Sequence, residues 1–172
     1  MPFTPFHMGP GLAIKAVAGR HFSLLAFGVA QVAMDIEPLV GMLTGADVLH
    51  GTSHTYLAAV PIAAASALVT PLLCRPALCR WNRELAAHDK AWLIEGDDFR
   101  WPALAAGALA GTLTHVALDS LMHHDIRPLA PFSVSNALLA AVPLDTLHAA
   151  CVVAGFAGAA LWLATRWFRR QR

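Results

Sequence analysis

Long apolar stretches separated by blocks of charge constrain the fold of this chain more than any other feature of its sequence. Hydrophobic residues make up 57% of the 172 residues and charged residues only 13%, whereas soluble domains carry about a quarter charged residues. The apolar runs cover residues 8–19, 22–34, 56–74, 101–113 and 144–167. An apolar segment of about 20 residues crosses a bilayer as a helix. The sequence therefore predicts an all-α protein, a polytopic membrane bundle of four or five transmembrane helices forming one domain over residues 1–172.

Charge and cysteine content exclude several other classes of protein. The formal net charge is +1, and the basic residues form no extended stripe, so nucleic acid is not expected as a partner. The three cysteines, Cys74, Cys79 and Cys151, include no C-x-x-C pair. Neither a disulfide framework nor a thiolate zinc site is therefore predicted.

The first two apolar runs allow two arrangements. They can form a hairpin of two short helices broken at residues 19–23, which would bring His7 and Asp35 to the same end. Alternatively, residues 22–43 form one span and the first segment lies on the surface. Each short run would cover only about 20 Å as a helix, less than the ~30 Å of a hydrocarbon core.

The polar segments indicate the topology. Residues 75–100 are mixed in charge and are predicted to be a cytoplasmic loop, which a short amphipathic helix could interrupt. Thr52 or Ser53 is predicted to cap the helix over residues 56–74. If the spans alternate, every Lys and Arg except Arg127 falls on one side, together with all five Trp residues. By the positive-inside rule that side is cytoplasmic.

Ionisable residues accumulate at the opposite, non-cytoplasmic end. His115, Asp119 and His123 follow one another at i, i+4 spacing, so a helix would present all three on one face. Every histidine except His21 and His88 falls at this end. Imidazole and carboxylate groups at the end of a membrane span are costly unless they bind something, which predicts a functional site.

The residue types at this end suit a divalent metal. Two His with Asp or Glu and an open position form a hydrolytic site for Zn²⁺, with Mn²⁺ or Fe²⁺ as alternatives. We expect His54, His115, Asp119 and Asp35 to hold the metal, and Asp35 or Glu37 to accept a proton from the attacking water. Candidates for a second metal, or for orienting the ligands, are His50, His123, His124, Asp125, Asp145 and His148.

Four elements in order resemble a known family. They are an N-terminal His7, then Asp35, then His50-Gly-Thr-Ser-His54-Thr, and finally His115-x-x-x-Asp119-Ser. The set resembles the bacterial inner-membrane-associated metal-dependent hydrolases described as LexA-binding, and is more distantly similar to zinc-dependent phospholipase C. This resemblance implies a location in the bacterial inner membrane and ligand roles for His7, Asp35, His54, His115 and Asp119.

Two positions depart from these patterns. Gly51 stands where the family has Arg, and no H-x-x-x-E pair matches that of the phospholipase unless Asp145 and His148 substitute for it. The expected function is a membrane-embedded metal-dependent hydrolase that acts on a phosphoester of a lipid or lipid-linked substrate. The alternatives are a transporter or metal-handling protein that uses the same cluster, and a protein whose metal is structural. Residues 56–73 and 101–113 carry no ionisable side chain apart from Tyr56 at one end, which disfavours a path through the membrane.

Overall fold

Helices dominate the computed structural model, which describes residues 5–94 and 99–171. The α-helices are α1 (Met8–Ala18), α2 (Leu24–Met34), α3 (Ile36–Thr44), α4 (Tyr56–Ala87), α5 (Trp101–Met122) and α6 (Leu144–Arg170), with 3-10 turns at Pro5–His7, Gly19–His21, Thr52–His54 and Ala91–Leu93. No strand occurs within the described residues, so the all-α prediction is confirmed. Residues 95–98 of the predicted loop lie outside the described residues.

Four helical segments are long and apolar enough to cross a membrane. They are Leu24–Thr44, Tyr56–Ala87, Trp101–Met122 and Leu144–Arg170. The first combines α2 and α3, which are separated only by Asp35 in a helical backbone conformation. The protein is therefore a membrane protein with four candidate spans. The 11 residues of α1 reach only about 16 Å, too short for a hydrocarbon core.

The N-terminal region combines both predicted arrangements. Helices α1 and α2 form a hairpin that turns at Gly19–His21, and α3 follows α2 to complete a longer apolar segment. The first segment does not lie apart on the surface, because α1 packs against α6 and α2. His7 and Asp35 consequently meet at one end of the bundle.

Glycines allow the closest helix contacts. A Cβ atom added at Gly107 of α5 would lie 2.1 Å from the backbone oxygen of Ser23, beside the start of α2. A Cβ atom at Gly158 of α6 would lie 2.5 Å from the backbone nitrogen of Ala13 in α1. Backbone approaches of this kind are available only to residues without a side chain. They fix how α1, α2, α5 and α6 lie against one another.

Small side chains also fill the centre of the bundle. The buried cluster between α2, α4 and α5 consists of Ala26, Ala30, Ala63, Ala67, Leu104 and Ala108. Five of these six side chains are single methyl groups, so the three helices approach closely. A second cluster of Met34, Ala59 and Val116 lies nearer the end that carries Asp35.

The helices alternate in direction, and the two ends of the bundle differ in charge. The Arg166 guanidinium donates to the backbone oxygens of Trp92, at 3.2 Å, and Ile94, at 2.8 Å. The Lys15 ammonium donates to the Phe22 oxygen at 2.9 Å. These basic residues lie at the end opposite Asp35 and His7, as the charge pattern predicts.

Two predicted boundaries are wrong. Helix α4 continues to Ala87, so the first half of the predicted loop 75–100 is helical. Polar residues there are good helix formers, and polarity alone does not end a helix. The N-cap of α4 is Thr55, whose hydroxyl accepts a hydrogen bond from the Ala58 N–H at 3.1 Å. His54 therefore ends a separate 3-10 turn before the helix.

Candidate metal centre

Four buried side chains meet where α2, α5 and the Thr52–His54 turn converge. Asp35 follows α2, His54 ends the turn, and His115 and Asp119 lie one helical turn apart on α5. Each offers one ligand atom, and these four atoms lie within 4.8 Å of one another. None of the four residues is more than 6% exposed. The structure thus brings together four of the five predicted ligands in what we call the buried group.

The distances within the buried group suit tetrahedral coordination. His115 Nε2 lies 3.3 Å from His54 Nε2 and 3.1 Å from Asp119 Oδ2. Asp119 Oδ2 lies 3.4 Å from His54 Nε2, and Asp35 Oδ1 lies 3.5 Å from His115 Nε2. Ligand atoms ~2.0–2.1 Å from a tetrahedral zinc stand ~3.3–3.4 Å apart. All four distances fall close to this value.

The far side of the His115 ring is held by Gln31 of α2. His115 Nδ1 lies 2.6 Å from Gln31 Oε1. The Gln31 amide nitrogen donates to the Gly111 backbone oxygen at 3.2 Å, which orients the amide oxygen towards the ring. Nδ1 must therefore carry the proton, and Nε2 presents its lone pair to the buried group.

The far side of the His54 ring is fixed in the same way. His54 Nδ1 lies 2.9 Å from Ser53 Oγ. That hydroxyl donates its own proton to Glu37 Oε2 in a short hydrogen bond, so it accepts from His54. The proton of His54 is therefore on Nδ1, and its Nε2 faces the buried group.

With these two tautomers, the buried group requires a positive charge. Two imidazole lone pairs face each other across 3.3 Å, and the Asp119 carboxylate faces both of them. Like partial charges at this separation in a buried site repel strongly. A cation among them, either a proton or a metal ion, removes the repulsion. The buried group therefore fits a divalent metal in its chemistry as well as its geometry.

His7 completes the predicted ligand set from the other side of Asp119. His7 Nε2 lies 3.2 Å from Asp119 Oδ1, but the two atoms are not aligned for a hydrogen bond. Within the described part of the chain, Asp119 Oδ1 and both nitrogens of His7 are buried without a hydrogen-bond partner. Buried polar atoms are rarely left in this state, and apart from their 3.2 Å contact with each other His7 Nε2 and Asp119 Oδ1 could both face a bound ligand.

Glu37 occupies a different position from the one predicted for a catalytic base. Its carboxylate accepts from the backbone N–H groups of Thr52, at 3.1 Å, and Ser53, at 2.8 Å. The closest approach to His54 is 4.0 Å, on the Nδ1 side that faces away from the buried group. Glu37 therefore holds the turn that positions His54.

Gly51 is explained by the same carboxylate. A Cβ atom added at Gly51 would lie 2.6 Å from Glu37 Oε1. A side chain there would push Glu37 away from the turn. The Glu37 carboxylate therefore occupies the space that an Arg side chain at position 51 would need.

A second cluster lies beside the first and consists of His50, His123 and Asp125, which we call the outer group. One ligand atom from each lies within 4.8 Å of the others. The His50 and His123 rings stack with centroids 4.1 Å apart. His50 also contacts the ring of His54 edge-on at 4.8 Å, so the two groups are neighbours.

The position of His123 corrects the predicted three-residue column on α5. The helix ends at Met122, and His123 adopts an extended conformation with φ −113° and ψ 126°. An extended residue no longer follows the helical spacing. His123 is therefore directed to the outer group, whereas His115 and Asp119 remain in the buried group.

The outer group has the protonation states that metals bind. Burial and the neighbouring His50 lower the pKa of His123 to about 4. Burial and His54 also lower the pKa of His50. Partial burial alone would raise the pKa of Asp125, but hydrogen bonds from His50 and Leu49 lower it to about 2. At neutral pH the imidazoles are neutral and the carboxylate is ionised, as metal binding requires.

A cleft of about 490 Å³ opens beside the outer group. Its lining includes His50, Asp125, the exposed residues His124 and Arg127, and Asp47. An arginine beside a candidate metal ligand can hold a phosphate group. The cleft therefore places His50 and Asp125 beside an arginine at the surface of this end of the protein.

The remaining candidates lie outside both groups. Asp145 is exposed in the first turn of α6. His148 is partly buried, and its ring stacks on Phe6 with centroids 4.5 Å apart. His21 and His88 are exposed near the opposite end, away from both groups.

Gln31 is the contributor that the sequence interpretation missed. Its signal was present, because an amide in an otherwise apolar helix lies at i, i+4 to Asp35 and hence on the same face. Buried amides need hydrogen-bond partners, so a partner among the histidines could have been inferred.

A family model described as Domain of unknown function (DUF4184) matches residues 1–171. No curated protein and no solved structure matches the chain.

Proposed function

Since the chain belongs to the family described as Domain of unknown function (DUF4184), we propose a function from the chemistry of its site. The protein is a membrane-embedded metal-dependent hydrolase that cleaves a phosphoester of a lipid or another membrane-associated substrate. The convergence of His54, His115 and Asp119 at distances typical of metal ligands carries this proposal. A divalent metal such as Zn²⁺ supplies Lewis acidity, which lowers the pKa of water to about 7 and provides a nucleophile at neutral pH.

The protein side chains have distinct tasks in this proposal. His54, His115 and Asp119 hold the metal, and Gln31 and Ser53 keep both imidazoles in the binding tautomer. Asp35 Oδ1 lies 3.5 Å from His115 Nε2, so Asp35 is close enough either to bind the metal or to accept a proton from the attacking water. His7 adds a ligand on the Asp119 Oδ1 side.

The substrate class follows from the position of the site. The groups lie at one end of the candidate membrane spans, and a site at this position would meet lipid head groups. The adjoining cleft carries Arg127, a side chain suited to phosphate recognition. The resemblance to inner-membrane-associated hydrolases supports the same class. By the positive-inside rule, the basic opposite end is cytoplasmic and the site faces away from the cytoplasm of a bacterial cell.

A structural metal is the second candidate function. The buried group supplies four protein ligands with almost no exposure, and closed four-ligand sites usually serve folding rather than catalysis. A transporter has less support. Between the site and the basic end, the buried polar side chains of α4 are the neutral Ser66 and Thr70, which provide no relay for ions.

Metal analysis together with hydrolysis assays tests the proposal. The protein is purified in detergent, and its zinc content is measured beside His115→Ala, Asp119→Ala and the control His88→Ala, which alters an exposed histidine at the far end. Hydrolysis is measured with bis(p-nitrophenyl) phosphate and with phospholipid vesicles. We expect stoichiometric metal and metal-dependent hydrolysis in the wild type and in His88→Ala, with both lost in the other two variants.

Two results would overturn the proposal in different ways. Stoichiometric metal without hydrolysis of either substrate would refute the hydrolase and favour the structural metal. No metal after reconstitution with Zn²⁺, Mn²⁺ and Fe²⁺ would refute a metal centre altogether and favour proton exchange among the same residues.

A further inference from the structure

The outer group has a geometry that loop closure alone does not explain. Asp125 Oδ2 accepts from the backbone N–H groups of Leu49, at 3.1 Å, and His50, at 3.0 Å. These two bonds already fix the 49–50 segment to the carboxylate. Both Asp125 oxygens also approach His50 Nδ1, Oδ1 at 3.0 Å and Oδ2 at 3.1 Å. The carboxylate thus anchors the backbone through Oδ2 and faces an imidazole nitrogen with both of its oxygens.

His123 adds a second imidazole to this pair. Its ring lies on that of His50 with centroids 4.1 Å apart and an angle of 25° between the planes. The Asn136 amide donates to the backbone oxygen of His123 at 3.5 Å. Within the described residues, the ring nitrogens of His123 make no hydrogen bond. The ring of His123 is therefore available to bind a metal.

The outer group differs from the buried group in the number of ligands and in access. It supplies two imidazoles and one carboxylate, whereas the buried group supplies four ligands. His123 and Asp125 are only partly buried, and the cleft is lined by His50 and Asp125. Three protein ligands with one side open to solvent is the arrangement of catalytic metal sites, whereas structural sites are closed.

We propose that His50, His123 and Asp125 form a second divalent-metal site, open to the cleft, and that this site is the one that meets the phosphoryl group of the substrate. Arg127 of the cleft would bind the same group, because a guanidinium pairs with phosphate oxygens in a bidentate manner. The buried group keeps the role that the proposed function gives it, and the outer metal adds a contact to the phosphoryl group. Metal binding by the outer group stands independently, but its contact with substrate rests on the proposed function.

A zinc titration without any substrate tests the metal site. Zinc equivalents and affinities are measured by calorimetry for the wild type, His123→Ala, Asp125→Asn and His115→Ala. His124→Ala is the matched control, because it removes the adjacent, exposed histidine that belongs to neither group. We expect two equivalents for the wild type and for His124→Ala, and one equivalent for each of the other variants.

Thermal unfolding of each metal-free variant identifies any that fail to fold. If His115→Ala does not fold, Asp35→Asn replaces it as the variant of the buried group. Asp125→Asn keeps the shape of the side chain, so it supports the result if His123→Ala is unstable. A wild type that binds one equivalent, removed by the change in the buried group alone, would overturn the second site. Two equivalents retained in folded His123→Ala and Asp125→Asn would overturn it equally.

The outcome is separable from that of the proposed function. A wild type with two zinc equivalents and no hydrolysis would keep the outer metal site and remove the hydrolase. Hydrolysis that persists unchanged in folded His123→Ala and Asp125→Asn would show that the substrate does not meet the outer group.

Discussion

Replacement of Gln31 by leucine isolates the effect of ligand orientation from that of ligand identity. The Gln31 side chain contributes no atom to the buried group, but its Oε1 accepts the Nδ1–H of His115 at 2.6 Å. Leucine has a similar volume and no acceptor. The His115 ring then loses the bond that fixes its tautomer, and part of the population presents N–H instead of a lone pair to the metal.

The expected loss of zinc affinity follows from the effect of removing hydrogen-bond partners of metal ligands in other proteins. Removal of such a partner lowers metal affinity about 10–100-fold, which corresponds to ~1.4–2.7 kcal/mol. We expect Gln31→Leu to weaken Zn²⁺ binding at the buried group by this factor. The affinity is measured by competition with a zinc chelator in detergent, and the metal-free thermal stability is measured in parallel.

Two further variants serve as controls. Gln31→Glu keeps an oxygen acceptor for His115 and should retain affinity at or above that of the wild type. Thr114→Val removes a weaker contact to the Gln31 amide, at 3.4 Å, but leaves the Oε1 bond intact. Gln31→Leu with unchanged zinc affinity would refute the tautomer argument. Equal losses in Gln31→Leu and Gln31→Glu would attribute the effect to packing instead.

Two other predictions concern stability. Transfer of the protein from excess Zn²⁺ to a chelator should lower the midpoint of thermal unfolding by about 5–10 °C. The reason is that a metal at a hundred times its dissociation constant stabilises the folded state by ~2.7 kcal/mol. An unchanged midpoint would contradict metal binding to the folded state. Gly107→Ala should destabilise the protein by about 1–3 kcal/mol, because the new methyl group would lie 2.1 Å from the Ser23 oxygen. The matched change Ala106→Leu, on an exposed face of the same helix, should leave thermal unfolding within experimental error.

The helical fold could be predicted because membrane spans have a compositional requirement. A helix that faces lipid needs a long apolar stretch, and the runs at residues 56–74 and 144–167 supply it. The end of α4 could not be placed from composition, since the residues after Arg75 are polar yet form helix readily. The polarity of a segment therefore does not determine where a helix ends.

The convergence of the candidate metal ligands was predictable for a related reason. His115 and Asp119 share a helix face by their spacing, and Asp35 reaches the same end through the alternation of the spans. The assignment of His123 failed because the i, i+4 rule holds only while the helix continues, and the helix ends one residue earlier. The role of Glu37 was equally hidden, since its partners are backbone N–H groups that any sequence provides.

The segment from Leu49 to His54 links the two groups physically. Asp125, which follows α5, accepts from the N–H groups of Leu49 and His50 at one end of the segment. Glu37 of α3 accepts from those of Thr52 and Ser53 near the other.

His50 belongs to the outer group and His54 to the buried group. Asp125 positions His50 directly, Glu37 positions His54 through Ser53, and only three residues separate the two histidines. Their rings also touch at 4.8 Å. A metal at either group therefore orders the same short segment, and the second metal meets ligands whose conformational freedom is already reduced. On this argument zinc binding to the two groups is positively cooperative, and the loss of Asp125 or of Glu37 weakens both.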